Sequence, residues 1–297
     1  MEFMDRVAGA PISWGVCEAP GWGLMLGSDR VLAEMQSVGL TATELGAPGF
    51  LPETSKEINA KLAEYSMDLV GGFVPLILHD ENHRLASLEE ARKIAALFAE
   101  CGATRFVTAV MRDEDWSRPD RVTDADITSI SKGLKLVDEI CADFGLVQVL
   151  HPHFDTMIET ADEMQRLLDQ SDVKWCLDTG HIALGGYEVV EFARKYADRV
   201  AHVHLKDVDL EIAAKARSRE LSLLQAVQAG LFPPLGEGDV PVGDVVRELE
   251  NRGYQGRYVL EQDLAITDGE PARGEGPILG VRTTLDYLAS TVVPILA

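Results

Sequence analysis

Five of the seven histidines fall between His151 and His204, in short segments that also carry acids or a lysine. "VLHPHF" holds His151 and His153, "CLDTGH" holds Asp178 and His181, and "HVHLKD" holds His202, His204, Lys206 and Asp207. A fourth segment, "YVLEQD", adds Glu261 and Asp263. Each opens on an apolar run suited to a buried strand and closes on groups that bind metal ions or move protons near neutral pH.

Alternation along a strand puts residues i and i+2 on one face. Val149, His151 and His153 therefore share a face, as do Lys174, Cys176 and Asp178. The same holds for His202, His204 and Lys206, and for Val259, Glu261 and Asp263. If these faces point to one axis, His151, Asp178, His204 and Glu261 come from four successive strand ends and converge. Two imidazoles with two carboxylates suit a divalent ion, Mn or Co first, with Zn, Fe or Mg as alternatives. The competing reading is a hydrogen-bonded polar layer without an ion. Around this set, Glu261, His153 and His181 are the candidate proton carriers. Glu44, at the end of "ATELG", and Lys206 are candidate contacts to substrate oxygens. A solvated Glu44 and a Lys206–Asp207 ion pair are the plainer alternatives. Trp14 is a candidate apolar wall for a sugar ring, and His79 completes the substrate set.

Such convergence needs a scaffold that brings many strand ends together. Strand-like runs occur at residues 7–14, 42–45, 68–73, 105–110, 146–151, 173–178, 200–205 and 257–261, separated by amphipathic stretches. This βαβ rhythm predicts an α/β fold, a (β/α)8 TIM barrel forming a single domain over residues 1–297. Ser87 with Glu90 and Thr160 with Glu163 have the spacing of helix capping boxes. Gly102 and Gly145 fall where a helix wants a left-handed terminal residue. No Gly-rich dinucleotide fingerprint follows the first run, which speaks against an open Rossmann sheet. Two connections are long. "GVCEAPGWGLMLGSD" follows the first run, and residues 207–241 contain a helical piece at 212–229 and then "FPPLGEGDVP". Both would lie over the mouth of the barrel as lid or wall.

The net charge of -22 argues against a nucleic-acid surface, which needs clustered Lys and Arg. No run approaches a membrane span, and no signal-like leader opens the chain. Cys17, Cys101, Cys141 and Cys176 have no paired spacing and read as reduced thiols of a cytoplasmic protein. The expected partner is a small polyol or keto-sugar, with homo-oligomer formation left open.

The segments "APISWG", "TELGAPGFLP", "HPHFDT", "LDTGH", "YADRVAHVHLKDV", "LGEGDV" and "YVLEQD" together resemble the xylose-isomerase-like TIM barrels, and within them the inosose dehydratase branch. They span nearly the whole chain in family order. The resemblance implies metal ligands at His151, Asp178, His204 and Glu261. Epimerases of this group carry Glu at the position of His151 and use two glutamates on opposite faces of the substrate carbon. Only Glu261 remains of that pair here, and either His151 or His153 takes the imidazole place. The implied activity is metal-dependent elimination of water from a keto-inositol such as 2-keto-myo-inositol. A ketose isomerase or epimerase is the alternative. An abasic-site endonuclease is a more remote reading, because the chain is acidic and the larger multi-zinc ligand set is absent, and a non-catalytic sugar-binding protein would require a broken metal site.

Overall fold

The apolar runs become a ring of parallel strands in the computed structural model, which describes residues 2–17, 19 and 21–296. These are β1 (Val7–Gly9), β2 (Ala42–Thr43), β3 (Asp68–Leu69), β4 (Phe73–Leu76) and β5 (Arg105–Val110). Then come β6 (Val147–Leu150), β7 (Lys174–Asp178), β8 (Val200–Leu205) and β9 (Tyr258–Leu260). Each pairs in parallel with its neighbours, and β1 meets β9 with Val7 opposite Tyr258, so first and last strands adjoin. Helices occupy the connections, which is the TIM-barrel arrangement.

The nine strands fill eight barrel positions. β3 bonds to β2 and β4 bonds to β5, yet both are pieces of one extended segment broken at Gly71 and Gly72. There the backbone squeezes between its neighbours. A Cβ on Gly71 would lie 2.3 Å from the Arg105 carbonyl oxygen, and one on Gly72 would lie 2.9 Å from Leu45 Cβ. Only glycine permits that approach.

Inside the ring, small apolar side chains fill the lower layers: Ala8, Ala42, Val70 and Val259 in one cluster, Val107, Val149 and Cys176 in another. Val149, Cys176 and Val259 each precede a polar residue by two positions, so the polar layer stands directly above them. Outside, the strands pack on helices through residues such as Leu32, Phe98, Leu134 and Phe192.

Thr160 and Glu163 form the expected capping box, and Gly102 and Gly145 take φ of 73° and 72° just past their helices. Ser87 does not cap a helix. Its helix, Glu81–Glu100, starts earlier on Asp80, and the Ser87 hydroxyl instead accepts the Ile77 N–H. The first run is strand only as far as Gly9, because Pro11 opens a 3-10 turn, Pro11–Trp14. The helical piece at 212–229 is two helices, Leu210–Arg217 and Leu223–Gln228.

Asp207 anchors the long segment that follows β8. One carboxylate oxygen accepts the N–H groups of Gly236 and Gly238 at 2.9 and 3.1 Å, the other those of Val208 and Val240, both at 2.9 Å. A Cβ on Gly238 would sit 2.3 Å from that carboxylate, so the "LGEGDV" glycine is demanded by close approach. Replacing Asp207 with Ala strips four amides of their acceptor, and the expected loss is at least ~3 kcal/mol of folding stability in urea titrations. A loss below ~1 kcal/mol would show that water replaces the carboxylate without penalty.

Candidate active site and metal centre

The polar layer is assembled by register. Asp178 and His204 lie opposite one another on β7 and β8. His151 follows β6 with its N–H on the Thr108 carbonyl, and Glu261 follows β9 with its N–H on the Leu205 carbonyl. His151 Nε2 lies 3.2 Å from Asp178 Oδ2, and His204 Nδ1 lies 3.6 Å from that oxygen and 2.5 Å from Glu261 Oε2. One donor atom from each of the four residues falls within 4.8 Å of the others. Ligands about 2.1 Å from a shared ion stand roughly 3 to 3.5 Å apart, so this spacing fits one ion. His204 Nδ1 and Glu261 Oε2 are buried without a hydrogen-bond partner, close to each other but misaligned. Crowded donors that do not satisfy one another are what an ion at their centre would relieve. The residues present therefore fit a divalent metal, and His151, not His153, stands in that group.

Glu44 has a different place from the one expected. It is buried beneath the cluster, where a single oxygen takes His202 Nε2 at 2.8 Å and His204 Nε2 at 3.0 Å. Burial alone would raise this carboxyl, but the charge of His204 and the two imidazole bonds outweigh it and hold the group below its ordinary range. With Nε2–H directed at Glu44, His204 presents Nδ1 to Asp178 and Glu261. Glu44 thus orients a ring rather than facing the mouth. His202 was outside the expected site, although its alternation with His204 is visible in "HVHLKD".

Lys206 is the second centre of contacts. Only 1% exposed, its Nζ lies 2.8 Å from Asp263 Oδ1, 3.0 Å from His181 Nε2, and 3.5 Å from both Asp178 Oδ2 and Glu261 Oε2. The Phe232 ring stands 4.9 Å away, brought by the long segment after β8. Burial would lower the ammonium's pKa, but the charges of Asp178, Asp263 and Glu261 outweigh it and raise it. The expected Lys206–Asp207 pair does not form, since Asp207 is committed to its loop. His153 and His181 stack at 4.0 Å, and burial pushes both below the usual imidazole value. His153 Nδ1 bonds the Phe154 carbonyl at 2.8 Å, which leaves Nε2 with the lone pair. Burial raises the Glu261 carboxyl, with His204 and Lys206 opposing.

Two expected substrate contacts lie elsewhere. Trp14 is fully buried in the main core and donates Nε1 to Glu34 at 2.9 Å, because the turn after Pro11 carries it away from the mouth. His79 follows β4 beside Ser129, which bonds its carbonyl, and its ring joins none of the donor clusters. Trp22 and Leu24 of the first long loop bond the carbonyls of Leu264 and Ile266, so the loops after β1 and β9 form one wall. Two arginines from distant loops flank the His153 loop. Arg219 bonds Asp155 and Glu159 at 2.7 and 2.8 Å, and Arg118 lies 3.4 Å from Glu159. Both are paired with carboxylates and leave no open anion site between them.

A parallel barrel with imidazoles and carboxylates gathered at the carboxyl ends of its strands defines a class of barrel built around a polar centre. The model of the xylose isomerase-like TIM barrel family matches residues 32–287, and the chain belongs to that family. It is 32% identical over 275 residues to an inosose dehydratase of Geobacillus kaustophilus, covering 88% of this chain and 89% of that one. It is 30% identical to the rhizopine catabolism protein MocC of Rhizobium meliloti, covering 90% and 84%. Among solved structures, the IolI protein with a binding zinc atom superposes with a TM-score of 0.72 at 12% identity, over 97% of this chain and 98% of that one.

The geometry assigns a measurable weight to Glu44. Glu44→Gln removes the charge that orients His204 while leaving the four convergent residues intact. The expected result is a 10- to 100-fold (~) weaker affinity for Mn2+ in calorimetric titration. An unchanged affinity would show that the Glu44 bonds do not prepare His204 for an ion.

Proposed function

We propose that this chain is a divalent-metal-dependent hydro-lyase that removes water from a keto-inositol, such as 2-keto-myo-inositol, or from a closely related keto-sugar. The observation that carries the reading is the one-sided placement of proton-handling groups. Glu261, Lys206, Asp263 and His181 are joined by contacts to the Lys206 ammonium, and His153 stacks on His181. Of the other carboxylates near the centre, Asp178 belongs to the group of metal donors, and Glu44 lies beneath that group with one oxygen taken by two imidazoles. Two-base inversion needs groups on opposite faces of that carbon, whereas elimination needs one proton-handling side. The inosose dehydratase relative supports the same substrate class.

His151, Asp178, His204 and Glu261 would hold the ion. When bound there, a divalent ion supplies Lewis acidity that lowers the cost of negative charge on a ketone oxygen. Mn or Co suits the mixed nitrogen and oxygen donors, and the zinc in the IolI structure supports keeping Zn among the alternatives. Glu261 serves as the base in this reading. Its carboxylate borders both the metal donors and the Lys206 ammonium, and it takes the proton from the carbon beside the ketone. The released C–H electron pair forms the new C=C bond as the β C–O bond breaks. The departing hydroxyl leaves as water with a proton from His181 or His153, while the Lys206 ammonium, held by Asp263, keeps its charge and steadies the leaving oxygen. Phe232 closes the wall beside Lys206 and His181 and excludes solvent.

Incubation with 2-keto-myo-inositol and Mn2+ or Co2+ should generate the near-ultraviolet absorbance of an enedione. Solvent deuterium entering recovered, intact substrate with no such chromophore would instead establish an isomerase or epimerase. At saturating metal, Glu261→Gln should leave turnover lower by ~10²–10⁴-fold, the loss typical of a missing general base. Restoration of activity by excess metal would reduce Glu261 to a ligand and move the base to His153 or His181.

Because Arg118 and Arg219 are already paired, the free polyol ketone should be used in preference to its phosphate ester. A higher kcat/KM for the ester, compared side by side, would overturn that assignment.

A further inference from the structure

We propose that the Lys206 ammonium occupies a second cation position, so that the centre is built for two cations of which one is a side chain. This rests on the reading of His151, Asp178, His204 and Glu261 as the holders of a divalent ion. The groups around Nζ are all of the kind that bind metals: Asp263 Oδ1 at 2.8 Å, His181 Nε2 at 3.0 Å, and Asp178 Oδ2 and Glu261 Oε2 at 3.5 Å. An ammonium can only donate, so His181 must offer it the lone pair of Nε2 and carry its ring proton on Nδ1. The 3.4 Å approach of the Phe154 N–H to that Nδ1 is then not a hydrogen bond. His153 also keeps a lone pair on Nε2, and donor atoms of His153, His181 and Asp263 fall within 4.8 Å of one another.

Two oxygens face both positions. Asp178 Oδ2 lies 3.2 Å from His151 Nε2 as well as 3.5 Å from Lys206 Nζ, and Glu261 Oε2 lies 2.5 Å from His204 Nδ1 as well as 3.5 Å from Nζ. Carboxylates shared in this way are the bridges of paired-metal sites. Here a tethered charge that cannot dissociate holds one of the two places. The Lys206 stem also fills the space, since a Cβ on Gly180 would come within 2.6 Å of its Cγ. Removing the side chain opens that volume and leaves Asp178, Glu261 and Asp263 without their shared counter-charge in a dry interior. A mobile divalent ion is the replacement the remaining donors select.

The test is Mn2+ binding to chelator-stripped protein, followed by equilibrium dialysis with elemental analysis and by electron paramagnetic resonance. Wild type and Lys206→Arg should each take up one ion per chain and give the spectrum of an isolated ion. Lys206→Ala should take up two and show an exchange-coupled pair, and adding Asp263→Asn to it should return the count to one. Lys206→Ser, whose hydroxyl keeps the opened volume wet, should repeat the Ala result. If either variant is marginal without metal, its melting temperature should keep rising with Mn2+ beyond the first equivalent. A single ion in folded Lys206→Ala and Lys206→Ser, or melting that stops responding after one equivalent, overturns the proposal, as do two ions in wild type. Wild type that binds none overturns the metal reading beneath it.

Discussion

Four carboxylates are gathered at the barrel mouth or one layer below it, those of Glu44, Asp178, Glu261 and Asp263, and all but Glu261 are almost wholly shielded from water. Moving even one such charge into a dry interior costs several kcal/mol unless it is matched. The rest of the centre answers that constraint. Glu44 is matched by two imidazoles, Asp263 by Lys206, and Asp178 by Lys206 together with the N–H of His181 at its helix start. Glu261 has the least complete match, which is why its carboxyl rises where that of Asp178 falls. Charge balance thus separates the carboxylates that have a full counter-charge from the one that does not.

The supporting structure is arranged to keep these pairings dry and fixed. Buried apolar side chains lie below the polar layer, and the segment anchored by Asp207 brings Phe232 over Lys206. Gly180 lets the helix after β7 approach the lysine stem directly. The paired arginines hold the loop of His153 from outside, with Arg219 also stacked 4.3 Å over the Phe154 ring. Positioning is therefore shared among elements distant in sequence, while the ionisable groups themselves come from adjacent strands.

That division explains what could be read from the residues alone. His151, Asp178, His204 and Glu261 were legible because strand alternation is a local rule and the four segments repeat it. Asp263 was equally accessible, two positions beyond Glu261 on the same face, and went unassigned only because no partner for it could be named without the fold. Phe232 was not accessible, since nothing in "FPPLGEGDVP" says which wall it will form. Trp14 and Glu44 misled for opposite reasons. A proline turn carried the first outward, and the second stopped one layer short of the mouth, where only three-dimensional depth separates a substrate contact from a support. The barrel itself was legible from its strand rhythm, but not the division of its third position into two strands, which depends on contacts from Arg105 and Leu45.

That division has a mechanical meaning. The donor residues all sit on or just after β6 to β9, an arc of parallel strands with one register shift, between Trp175 and Cys176. The gap at Gly71 and Gly72 lies on another part of the circumference, where the hydrogen-bond lacing passes from one neighbour to the other. The carbonyls of Val70, Gly71 and Gly72 accept the N–H groups of Arg105, Leu45 and Val107, so this one segment is stitched to both of its neighbours. The hoop is closed, away from the donors, by a strand that changes edges midway, and two glycines are what let it cross.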